Sequence, residues 1–325
     1  MNLPWLNPYI DQLNEDNLHH SMIISGREGL GKLHLANKII QFILCANSKN
    51  LQPCNNCQSC NFLKENSHPD FHTIDLEDGK KSISINQIRS FYLEMFESSF
   101  LGGNKVFFIP RSNLLSRESY DALLKSLEEP PKDTFIILIN SDSQNLPPTI
   151  LSRCHEINIK KPSKKEINSW LKDKIQDEAS FEQLLGLSKG KPLKILELEE
   201  NQSLILRNDF IQDISTLIKK GSNISEITDK WTKDEESLLL QLEWMSDLLM
   251  DILRARFYKD KESIFSDTEN ISTFMEDKID PIEVFNLLDK TIGLWNTFYR
   301  NYNLRQDYHL QSLLVEWNST IGLRP

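Results

Sequence analysis

The chain has 325 residues, with 37 Lys and Arg against 47 Asp and Glu, a net charge of −10. Its 39% hydrophobic and 26% charged residues fit a globular protein of about two domains or three small ones, and exclude collagen-like, mucin-like and wholly disordered chains. No apolar run approaches the ~18 residues of a membrane span, and so acidic a chain meets nucleic acid only through a local positive patch or with partners' help.

Residues 1–21 contain Pro4, Pro8, Asp11, Glu15 and Asp16, which is not the basic-then-apolar layout of a signal peptide. A cytosolic protein with five reduced cysteines is expected, so clustered cysteines read as a metal site rather than a disulfide framework. The first strand is expected at 22–24. Gly26-Arg27-Glu28-Gly29-Leu30-Gly31-Lys32-Leu33 follows it and precedes a helix at 35–44, the context of a phosphate-binding loop. Glycines there turn backbone N–H groups toward phosphate, and Lys32 adds positive charge. Leu33 stands where a Ser or Thr hydroxyl would hold Mg²⁺. The competing reading is a Gly-rich turn that binds nothing.

Cys45 ends that helix, and Cys54-Asn55-Asn56-Cys57-Gln58-Ser59-Cys60 follows Pro53. Four thiolates suit tetrahedral Zn²⁺ in a closed, structural site. Small buried residues or a redox pair are the alternatives, and His68 is a spare candidate ligand. A second strand is expected at 71–74. Ser84-Ile85-Asn86-Gln87 is a capping box before a helix with the stripe Ile85, Ile88, Tyr92, Met95 and Phe96. The third strand, 106–109, runs into Pro110-Arg111-Ser112. The carboxylates with which a nucleotide hydrolase ends this strand are missing, and Arg111 brings positive charge to the Mg²⁺ position. A helix at 120–129 stops at Pro130-Pro131. Strands follow at 135–139 and 156–159, with Leu151-Ser152-Arg153-Cys154 between them. By itself Arg153 reads as a surface salt-bridge residue and Cys154 as a small apolar one.

Five nearly continuous apolar strands alternating with helices specify an α/β domain with a mostly parallel sheet. After Lys161 no further strand is expected. Ser163-Lys164-Lys165-Glu166 is a second capping box. Two helices and the 186–192 turn form a small helical unit, and the polar stretch 199–203 marks a boundary. Leu238, Leu242, Met245, Leu249 and Ile252 keep the 3.6-residue period, and 259–280 reads as a loop or short helices.

These elements together resemble the bacterial clamp loader, the AAA+ assembly of DNA polymerase III holoenzyme. The residues that carry the resemblance are the phosphate-loop domain, the four-Cys insertion, the string Ala122-Leu123-Leu124-Lys125-Ser126-Leu127-Glu128-Glu129-Pro130-Pro131 and the Ser152-Arg153-Cys154 triplet. Loss of the metal-binding residues, Gly102-Gly103 and the 303–317 segment point to its delta-prime branch rather than the gamma/tau motor. The resemblance is dense over 20–160 and collinear beyond. It implies an AAA+ domain at 1–161 with a zinc-binding insertion at about 45–70, a helical lid at 162–203 and an all-α collar at 204–325. It implies that Cys45, Cys54, Cys57 and Cys60 bind structural zinc. It implies that Arg153 is an arginine finger acting in trans on ATP held by a gamma/tau neighbour, in a loop set by Ser152 and Cys154. Asn140 or Ser141 matches a γ-phosphate sensor, and Leu193 stands where active relatives keep a second sensor arginine. Gly26, Gly31 and Lys32 form a degenerate nucleotide site, with no Mg²⁺ expected. Partners would be gamma/tau and delta, with the sliding clamp and primer-template DNA reached through the complex. The alternatives are a slow gamma/tau-like ATPase with atypical metal ligands and a zinc-bearing nucleotide sensor. Trp244, Trp295 and Trp317 serve either the collar interface or the domain's own core.

Overall fold

The computed structural model describes residues 2–13, 18–48, 52–77, 79–141, 146–172, 174–175, 177–220, 223–257, 265, 267–275, 279–299 and 305–321. The chain forms two compact units, residues 1–174 with 190–194, and residues 175–189 with 195–325.

In the first unit the expected strands are all present: β1 (Ser21–Ser25), β2 (Phe71–Thr73), β3 (Lys105–Ile109), β4 (Thr134–Asn140) and β5 (His155–Asn158). They make one sheet in the order β2-β3-β4-β1-β5, and every pairing is parallel. A strand in the middle of such a sheet buries both faces, which is why β1, β3 and β4 read as unbroken apolar runs. Alternate residues serve opposite cores. Met22, Ile24, Val106, Phe108, Ile137 and Ile139 face one cluster, and Ile23, Phe107, Ile109, Ile136 and Leu138 face the other.

The helices of this unit are α1 (Asn7–Gln12), α2 (Lys32–Leu44), α3 (Gln58–Lys64), α4 (Ile85–Met95), α5 (Arg117–Glu128), α6 (Pro148–Leu151) and α7 (Lys164–Leu171). Both capping boxes form, Ser84 with Gln87 and Ser163 with Glu166. Helix α5 begins a turn earlier than the apolar pattern suggests, because Ser116 accepts the Ser119 N–H. The α4 stripe needs correction. Ile88, Phe91 and Met95 are the buried positions, and Phe96 is 60% exposed. The inward face therefore runs through 88, 91 and 95, at steps of three and four.

The remaining helices are α8 (Glu178–Leu187), α9 (Pro192–Glu200), α10 (Ser203–Lys220), α11 (Ile224–Trp231), α12 (Glu235–Phe257), α13 (Glu269–Met275), α14 (Pro281–Tyr299) and α15 (Gln306–Ile321). Helix α9 starts in the first unit and continues in the second. The expected α12 stripe is buried throughout. Of the 259–280 segment, α13 is a short helix, while 259–264, 266 and 276–278 lie outside the described residues, as does Asn303. Trp244 and Trp317 are core residues, and Trp295 stacks on Tyr299. Buried Arg207 forks onto Asp267 (2.8 and 2.9 Å) among Phe210, Trp244 and Phe265, a pairing of distant segments that no local pattern announces.

Candidate functional site

Ligands of open α/β sheets gather at the carboxyl ends of the strands, and the glycine loop leaves β1 at that edge. Gly29 and Gly31 have φ of +76° and +87°, where a side chain is strained, and both are closely covered. A methyl group on Gly31 would lie 2.5 Å from Leu3 Cδ1, and one on Gly29 2.8 Å from Lys191 Cβ. The Trp5 indole donates to the Leu30 carbonyl at 2.9 Å, and the Leu193 N–H donates to the Gly29 carbonyl at 3.2 Å. The N-terminal segment and the start of α9 therefore fasten the loop on two sides.

Lys32 and Glu28 both have partners within the first unit. Buried Lys32 donates to the Gly26 and Arg27 carbonyls at 2.8 and 2.7 Å, and burial holds its ammonium below its ordinary pKa. Glu28 pairs with Lys191 at 3.0 Å, and that hydrogen bond keeps its carboxyl below the usual range. A phosphate bound at Lys32 would also feel the Glu28 carboxylate, whose charge acts on that ammonium. Leu33, in the Mg²⁺-ligand position, is 53% exposed and offers no oxygen. Past β3, Arg111 Nε contacts Asp75 Oδ1 at 2.6 Å. Buried Asn140, at the end of β4, lies in register beside Ser25, which precedes Gly26. The sensor position and the loop are thus neighbours in the sheet.

The four expected cysteines come together. Their sulfurs lie within 4.8 Å of one another, with Cys45 and Cys57 Sγ 4.0 Å apart. Tetrahedral Zn²⁺ with Zn–S near ~2.3 Å would set sulfurs about 3.8 Å apart, so the donor set fits such an ion. Cys45 is the residue that ends α2, and Cys57 caps α3, receiving the Cys60 N–H. The Cys54 N–H donates to Cys45 Sγ at 3.2 Å. Burial raises the Cys57 thiol, but the Cys60 and Ala46 N–H groups and neighbouring thiols outweigh it and bring it to about 6. Burial drives Cys60 up to about 12. His68 is not in this cluster; it hydrogen-bonds Ser59 instead.

Arg153 follows α6 with its side chain 31% exposed. Its guanidinium contacts the Glu128 carboxylate, the Thr149 carbonyl at 2.9 Å and Ser152 Oγ at 3.3 Å. Glu128 ends α5, so the Glu-Glu-Pro-Pro stop presents the carboxylate that holds this arginine. Cys154 packs against the sheet's second core, and burial pushes its thiol up to about 12. The sequence pointed to Arg153 but not to Glu128 as its holder, nor to Lys191 and Leu3 as covers of the loop, because each pairing joins distant segments.

The parallel sheet, the β1-loop-α2 unit and the helices that follow define the class, an AAA+-type α/β domain with a helical C-terminal region. A family model described as DNA polymerase III, delta subunit matches residues 4–163. The chain is 29% identical over 323 residues to the DNA polymerase III subunit delta' of Pseudomonas aeruginosa, covering 98% of each. It is 30% identical over 297 residues to that of Buchnera aphidicola from Schizaphis graminum, covering 90% of this chain and 88% of the relative. The Haemophilus influenzae DNA polymerase III subunit tau/gamma is 32% identical over 159 residues, 49% of this chain and 23% of that protein. The chain belongs to the DNA polymerase III delta' family.

Proposed function

We propose that this chain is a clamp-loader subunit that hydrolyses no ATP itself and lends Arg153 to the ATP site of a neighbouring tau/gamma subunit. The observation that carries this reading is a guanidinium held at the surface by Glu128 and Thr149, in a domain whose own loop has no metal-ligand hydroxyl. A guanidinium placed at a γ-phosphate offsets charge developing in the transition state, an effect worth about 10³- to 10⁵-fold in rate. Supplying it from another chain makes hydrolysis depend on correct assembly. Ser152 and Cys154 set the loop, one bonding Arg153 and the other packed inward.

Within this reading, residues 1–161 are the AAA+ domain, 162–203 the lid and 204–325 the collar. The exposed residues Ile282, Phe285, Ile292 and Tyr299 fall on one face of α14, which suits packing against helices of partner subunits. The partners are tau/gamma and delta, with the clamp and primer-template DNA met through the complex in the cytoplasm. Zinc on the four cysteines would tie the end of α2 to α3, a purely structural role.

Reconstitution of the complex tests the proposal. Arg153→Ala should lower clamp-stimulated ATPase by about 10³-fold, and Arg153→Lys should not restore it, because an ammonium lacks the planar fork. The chain alone should turn over no Mg²⁺-ATP. Turnover by the lone chain, abolished by Lys32→Ala, would instead support the slow-ATPase reading that the surviving Gly26, Gly31 and Lys32 leave open.

A further inference from the structure

A buried polar chain runs out of the cysteine cluster into the body of the first unit. We infer that Ser59 and His68 are positioning residues of the metal centre, holding the two segments that carry Cys45 and Cys60 in ligating geometry before any ion binds. The inference rests on the reading of the four cysteines as a metal site.

Ser59 immediately precedes Cys60 in the first turn of α3. Its hydroxyl donates to the carbonyl of Leu44, the residue immediately before Cys45 at the end of α2. One hydroxyl therefore joins the neighbours of two ligands that are fifteen positions apart in sequence. His68 Nε2 lies 2.7 Å from the same oxygen. On the other side of the ring the Asp70 N–H donates to Nδ1 at 3.1 Å. Nδ1 is thus an acceptor, so the ring proton sits on Nε2 and points at Ser59. The directions agree along the whole chain: Asp70 N–H to imidazole, imidazole N–H to hydroxyl, hydroxyl to carbonyl. Asp70 is anchored in turn, its carboxylate accepting the N–H groups of Phe100 and Leu101 at 2.6 and 3.0 Å.

All three side chains are more than nine-tenths buried, at 6% for Ser59, 7% for His68 and 3% for Asp70. A buried network in which every member is satisfied fixes geometry, whereas a broken one strands polar groups at a cost. Two loose chain segments would have to lose conformational freedom when an ion gathered their thiols. Here that ordering is made by hydrogen bonds of the protein itself. Groups that support metal ligands commonly change affinity by about 10- to 100-fold when removed.

The test is zinc affinity of the full chain, measured by competition with a chromophoric chelator. His68→Leu removes the ring's donor and acceptor, and should weaken zinc about tenfold or more. Ser59→Ala leaves the imidazole packed but cuts the link to Leu44, and should do the same. His68→Gln keeps an N–H that reaches Ser59, and should recover most of the loss. Ile74→Ala, a core truncation in the other face of the sheet, should lower thermal stability and leave zinc affinity unchanged. Zinc held within twofold by Ser59→Ala and by any folded His68→Leu protein would overturn the inference, as would equal weakening by Ile74→Ala. Should His68→Leu fail to fold, Ser59→Ala decides alone. An unsubstituted chain that binds no zinc would overturn the metal reading itself, an outcome distinct from a relay that makes no difference.

Discussion

The ammonium of Lys32 and the carboxylate of Glu28 decide what the glycine loop can hold. The ammonium is satisfied by two carbonyls of its own loop, and the Glu28 carboxylate, paired with Lys191, lies close enough to Lys32 for their charges to act on each other. A like charge a few ångströms away in a solvated setting costs about 1 kcal/mol. Glu28→Gln should therefore bind ATP, without Mg²⁺, about fivefold more tightly than the parent in equilibrium dialysis, and unchanged or weaker binding would refute the account. Two histidines carry a second prediction at this scale. Burial, then Lys38, holds His34 below its ordinary value near 6.5, and partial desolvation on an exposed strand position, then His19, does the same for His155. The unfolded chain binds those protons more readily, so their contribution to stability is full above pH ~6.5 and is lost as pH falls through the folded-state values. The denaturant midpoint should hold above pH 7 and decline toward pH 5, with a shallower decline in His34→Gln. A midpoint flat over that interval would contradict the assignment.

At the level of elements, cap chemistry sets the ends and packing sets the faces. Ser84 and Gln87 bond reciprocally at the start of α4, and the Gln87 amide also reaches the Asp75 carbonyl. Ser84→Ala should cost about 1 kcal/mol in urea unfolding of the first unit, and Ser84→Gly only a few tenths. Equal losses from the two would mean that the serine acts through something other than its cap. The same contrast explains what could be read in advance. Central strands announce themselves because burial on both faces leaves no polar position, and caps because they are local. The α4 face takes Phe91 where the sequence stripe has Tyr92, and it leaves Phe96 exposed: both 91 and 92 are large aromatic rings by type, and the tertiary contact with Phe107 picks Phe91. The three closely spaced cysteines were legible as a cluster, but His68 was not legible as the support of Ser59. Nine residues separate them, and no periodicity encodes a hydrogen bond between loop and helix.

For the whole molecule, charge bears on how DNA is met. A protein that grips duplex DNA by itself neutralises several phosphates with Lys and Arg, and its affinity falls steeply with salt. This chain carries ten more acidic than basic residues. Several of its described cations are already paired internally: Arg153 with Glu128, Lys191 with Glu28, Lys189 with Glu243 and Asp247, and Arg207 with Asp267. The purified chain should show no retention of primed DNA by fluorescence anisotropy at ~0.15 M salt, with affinity weaker than the ~10⁻⁴ M end of nonspecific binding. Added to the other clamp-loader subunits, it should raise the amount of complex held on primed DNA without steepening the salt dependence, because it brings no new phosphate contacts. Micromolar binding by the chain alone, falling with salt, would show that its basic residues form a DNA-facing patch despite the overall charge. Its place in the assembly would then include a direct grip on DNA.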